Sequence, residues 1–263
     1  VASSPVALIL FPVIGQLFPT SLQHIRVILR SAKFGRRLKS VSRHLSVNSV
    51  PAIVGIVGPI VVIFGDLAAS LSIPGYSLVR DSVSSLALTD LGWLQSICFL
   101  AMGVLLEIFV AGLFFNLRRA RGFYGGIVLL ALCAFVLLLI ATFHMDAPGT
   151  PPTIDGTVHT IASYSLGLLF PIAVLSLSPS FKKTPNWKGV FVYTLVAGIL
   201  GFGLILGAIF GDQRGWFGLY ERIVILNALV WVEVVAIHYL HLQLRREPKH
   251  QSLGHAATKG GEV

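Results

Sequence analysis

Long apolar runs broken by short polar segments set the pattern of this chain. Six runs, at about 49–72, 93–117, 123–143, 158–177, 189–210 and 222–244, are long enough to cross a bilayer. About 20 residues at a rise of about 1.5 Å span a hydrocarbon core of about 30 Å. Lipid offers the backbone no hydrogen-bond partner, so each run must close its own bonds as a helix. The connections are short, which forces neighbouring helices to run antiparallel. The prediction is an all-α integral membrane bundle of six transmembrane helices.

The flanks differ from the runs. Residues 1–47 form an apolar and basic extension, read as partly interfacial or disordered. Within it, 5–19 is apolar but short and carries Pro5, Pro12 and Pro19, which argues against a regular span. Arg26, Arg30, Lys33 and Arg37 recur at helical spacing, as on a helix lying at a membrane surface. Residues 48–244 are the membrane domain, and 245–263 read as a disordered polar tail. In the first long loop, Val79, Val83 and Leu86 oppose Arg80, Asp81, Ser84 and Ser85. That alternation predicts a short amphipathic helix. Trp93, Trp187 and Trp216 fall at run ends, where tryptophan anchors to headgroups.

Composition sharpens the picture. Of the 263 residues 55% are hydrophobic and 12% charged, against about 25% charged in soluble domains. This excludes a water-soluble enzyme. The net charge is +9, and position decides its meaning. Seventeen Lys and Arg lie in 20–47, 118–121, 182–188 and 245–259, while only Arg80, Arg214 and Arg222 lie at the other end. This is the positive-inside pattern, with both termini cytosolic. The expected partner is the lipid bilayer of the plasma membrane. No basic groove interleaved with aromatics points to nucleic acid. Cys98 and Cys133 both fall inside apolar runs and read as packing residues.

Candidate chemistry gathers at the outer end. His144, Asp146, Asp155 and His159 lie within 16 residues, around the third-to-fourth helix connection. Two imidazoles and two carboxylates suit zinc or another divalent ion with a position open for water. The opposing reading is a polar loop, with His159 capping helix four and Asp155 near its positive end. Asp66 and Asp212, each following Ile-Phe-Gly, would join them around an outer vestibule. Glu107 and Glu233 sit deep in helices two and six. An acid there costs about 2.5–3.5 kcal/mol on insertion scales, so it should face protein or water. His238 and His241 lie near the inner end, too far from His159 to share one site. Gly203-x-x-x-Gly207 allows close helix packing. There is no Walker loop, Gly-x-Ser-x-Gly or dinucleotide fingerprint.

Three segments, 73–94, 143–159 and 217–231, together with the six runs, resemble the prokaryotic membrane proteins grouped as domain of unknown function 998. In that family an acid after a Phe is followed by Gly-x-x-His, which Asp146, Gly156 and His159 match. Where the family often carries Ile-Ser-Glu-Leu, this chain has Val83-Ser84-Ser85-Leu86. The resemblance implies a fold and no reaction. Three functions stand open: an outer-facing metal or lipid-processing site, a proton- or cation-coupled transporter using Glu107 and Glu233, and a non-catalytic accessory protein.

Overall fold

The first apolar run folds as α1, Val50–Ser72. Its start accommodates Pro51, which needs no intrahelical donor there. The computed structural model describes residues 47–259. The expectations for 1–46, including 5–19 and the basic stripe, lie outside the described residues. The remaining helices are α2 (Gly92–Asn116), α3 (Phe123–Thr142), α4 (Ile154–Lys183), α5 (Lys188–Phe210) and α6 (Phe217–Lys259). All six are long and apolar enough to cross a membrane.

α4 and α6 outrun their apolar stretches. Thr153 caps α4 by accepting from the Gly156 N–H, so the helix starts four residues before the apolar run. α6 begins at Phe217 and continues to Lys259, past residue 244, where the sequence pattern places a disordered tail. Hydropathy ends where polar residues begin. The helical ladder does not, because Gln, Leu, Arg and Lys are good helix formers.

Each helix packs on its neighbours in sequence, and α6 returns to α1, which closes a ring of six. Small residues set the approaches. A Cβ on Gly55 would collide with Phe109 of α2 and Ala236 of α6. One on Gly112 would meet Pro51, and one on Gly65 would meet Cys98, which fixes α1 and α2 as antiparallel. The glycines of α5 act differently from the expected motif. Gly198, Gly201 and Gly207 face neighbouring side chains, whereas Gly203 has open space around it.

The end bearing the α2–α3 and α4–α5 connections, here the proximal end, is filled with aromatics. Phe109, Phe123, Phe181, Trp187, Trp231 and Tyr239 are fully buried. Trp187 is therefore no interfacial anchor: it packs on Phe181, His238 and Tyr239. His238 bonds the Asn186 carbonyl at 2.7 Å. Cys98 and Cys133 are buried free thiols.

Candidate functional site

The opposite, distal end is built on an ion pair. Arg222, in the second turn of α6, forms a two-pronged bridge to Asp66 near the end of α1. Its Nε and one terminal nitrogen each donate at 3.0 Å. Both side chains are buried, with 10% and 13% of their surface exposed. The rest of the guanidinium is also spoken for. It donates to Ser70 Oγ and Tyr76 Oη, and to the carbonyls of Leu78, Asp81 and Gly218, at 2.9–3.1 Å. The planar fork of Arg is suited to such a cage.

The neighbouring Glu221 completes the clamp. It accepts from the Val83 N–H at 2.5 Å and from Ser84 Oγ at 3.2 Å. Two adjacent residues of α6 thus pin both halves of the 73–91 connection. That connection holds a short 3-10 helix, Val83–Leu88, capped by Ser82. Val83 and Leu86 are buried as the amphipathic pattern predicts, while Val79 remains 45% exposed. Gly218 is small for a reason: the Asp81 backbone lies where its Cβ would go.

Beneath this connection lies a cavity of about 360 Å³ in the middle of the ring. All six helices contribute to its wall, which is largely aliphatic and aromatic, with Phe99, Met102, Leu137, Phe170 and Ile205 among the lining residues. The lining on α4 runs from His159 to Pro171, and on α6 from Phe217 to Val232. At 1.5 Å per residue this is a depth of roughly 18–22 Å. Polar groups concentrate toward the distal end: Ser82, Ser84, His159, Thr160, Ser163 and Glu221.

His159 is the unusual member. It is 5% exposed. Its Nδ1 lies 2.8 Å from the Phe143 carbonyl. A carbonyl only accepts, so Nδ1 carries the proton and Nε2 presents a lone pair. That Nε2 is buried and has no hydrogen-bond partner. A buried polar atom without a partner loses its hydration for nothing in return. Here it belongs to a residue of the cavity wall.

The other expected site residues have partners of their own. His144 Nε2 pairs with Ser96 Oγ at 3.0 Å. Asp146 accepts from the Thr153 N–H and hydroxyl at 3.0 and 2.6 Å. These bonds hold the Asp146 carboxyl below the usual Asp range. Asp155 is exposed in the first turn of α4. Asp212 is an exposed turn partner of Arg214. The four-residue grouping of His144, Asp146, Asp155 and His159 does not form. Among the described residues, no three His, Cys, Asp or Glu side chains are grouped to hold a metal ion. Asp66 is paired with Arg222, and Asp212 with Arg214. Glu107 and Glu233 are half-buried and do not line the cavity. One oxygen of Glu233 is buried without a partner.

The Asp–Gly-x-x-His pattern acquires a physical meaning. The Asp146 carboxylate sits where any Cβ at Gly156 would fall. One turn on, His159 reaches back to Phe143 at the end of α3. The spacing is that of a cap and a tether, which together fix the imidazole against the end of α3. The residues sequence reading overlooked are Glu221 and Arg222. Their signal was an acid beside a base at the start of an apolar run, level with Asp66 at the distal end.

The fold and site define a multi-pass helical membrane protein with a central, distally polar cavity. A family model described as "Protein of unknown function (DUF998)" matches residues 56–238, and the chain belongs to that family. No curated protein and no solved structure gives a significant match.

Proposed function

We propose that this protein binds, and presents for reaction or transfer, a membrane amphiphile whose apolar chain fills the central cavity. The observation that carries this reading is the pairing of an apolar cavity with His159 Nε2, a buried acceptor without a partner in the cavity wall. Ligand sites combine apolar walls with a few placed polar groups in this way. The depth, roughly 18–22 Å at 1.5 Å per residue, exceeds one leaflet of a core about 30 Å thick. A chain drawn from a leaflet therefore fits along the axis. The distribution of Lys and Arg supports a plasma-membrane orientation with both termini cytosolic and the cavity's polar end outside.

His159 would accept a proton or hydrogen bond from the head of the ligand through Nε2. Among the hydroxyls of the wall, those of Thr160 and Ser163 are nearest to it in the chain. The test is equilibrium binding of 1-hexadecanol to the detergent-purified protein. Saturable binding is expected, weakened about three- to tenfold in His159→Phe, the range of one net hydrogen bond. Unchanged affinity in a folded His159→Phe protein would contradict the placement of the head.

A further inference from the structure

The charge and donor inventory of the wall says which head the cavity takes. Among its described lining residues none is Lys or Arg, and the single carboxyl group it offers is that of Glu221. Arg222 follows Glu221 directly in α6. All of its N–H groups are directed at Asp66, Ser70, Tyr76 and three carbonyls. It has no donor to spare for an incoming anion. The free capacity runs the other way. His159 Nε2 is an acceptor, because the Phe143 carbonyl holds the ring proton on Nδ1. The Glu221 oxygens already accept from the 83–84 segment, and each carboxylate oxygen has a second lone pair. Both acceptors lie in the wall of a cavity otherwise lined mostly by hydrocarbon.

We propose that the cavity selects a single-chain amphiphile whose head donates hydrogen bonds and carries no negative charge, a long-chain alcohol or amine, over one ending in carboxylate or phosphate. This rests on the reading of the cavity as an amphiphile site. The selection has two physical sources. A donating head satisfies His159 Nε2, which otherwise stays unpaired. An anionic head would find no Lys or Arg among the described lining residues to pair with. Glu221 is a specificity residue in this account, and it also ties the 73–91 connection to the wall.

The experiment uses four probes of one chain length: 1-hexadecanol, hexadecylamine, palmitate and hexadecyl phosphate. Each is titrated into the full-length protein in nanodiscs of uncharged lipid, and competed against labelled 1-hexadecanol. The alcohol and amine are expected to compete at least tenfold better than the two anions. In Glu221→Gln, which keeps one acceptor oxygen for the Val83 N–H, the amine should lose about tenfold while the alcohol changes little. That split is the size expected for removing one charge-assisted bond. Four probes of equal strength would overturn the selection and leave the cavity reading standing. Anions binding best would overturn the selection outright. Saturable binding by none of the four would overturn both. Should Glu221→Gln unfold, the ranking of the four probes on the unmodified protein still decides.

Discussion

Arg222 shows how much of this fold can hang on one side chain. It crosses from α6 to α1 and to the 73–91 connection, with seven acceptors around it. Removing one partner of a buried pair strands the other charge, typically at a cost of about 3–5 kcal/mol. Arg222→Met should therefore lower the thermal midpoint sharply in detergent. Asp66→Asn in the same background should cost little more, which a double-mutant cycle reads as coupling. Additive losses would contradict the pair. Sequence reading flagged Asp66 because an apolar run continues past it. It could not supply Arg222, since sequence gives depth along a helix but not which helix faces which.

A second residue-scale expectation concerns Asp146. Thr153 donates twice to its carboxylate and holds its pKa below the ordinary Asp value. A depressed carboxyl contributes above the unfolded-state pKa, and that contribution is lost as pH falls through the folded one. The carboxyl carbon shift of Asp146 should titrate at lower pH than that of an unpaired Asp, and move up toward the ordinary range in Thr153→Ala, which keeps the backbone donor and loses the hydroxyl. An unmoved midpoint in that variant would contradict the cap. Gly156→Ala should be destabilising, and the loss should shrink when Asp146→Ala removes the carboxylate in its way.

At the scale of the element, the 73–91 connection is a cover over the cavity mouth rather than a free loop. Its backbone is held by Glu221 at Val83 and by Arg222 at Leu78 and Asp81. Hydrogen exchange at Val83 should be slow in the unmodified protein and speed up in Glu221→Ala, while amides in α3 stay unchanged. Equal protection in both proteins would show that the clamp does not hold the cover. The amphipathic pattern anticipated Val83 and Leu86 as the buried side. It misplaced Val79, because a 3-10 segment of six residues does not carry the α-helical period back that far. Trp187 misled for a related reason. A tryptophan at a run end usually seeks the interface, but here α4 extends to Lys183 and α6 past 244, so the proximal end is deeper than the apolar runs imply.

At the scale of the whole molecule, helix number and length were legible, because hydrocarbon leaves the backbone one option. The cavity was not. It exists because six helices close a ring and the distal half of that ring is filled less than the proximal half. Aromatics from four helices plug one end, while Gly167, Gly201, Ala208 and Ala228 are among the small residues of the cavity wall. Small residues in a run read alike, whether they admit a neighbouring helix or leave room for a ligand. His144, Asp146, Asp155 and His159 are close in sequence, but in the structure only His159 enters the cavity wall. Proximity along the chain does not say which of the four shares a wall with residues from other helices.

The central claim is that the cavity holds an amphiphile chain. Native mass spectrometry of the protein released from lipid, beside an Ala228→Phe variant that fills the cavity from α6, tests it most directly. The account predicts one retained amphiphile per chain in the unmodified protein, lost in Ala228→Phe, with the helical content and thermal midpoint of the variant preserved. Equal retention by both proteins, or no retained or loadable amphiphile in either, would contradict it.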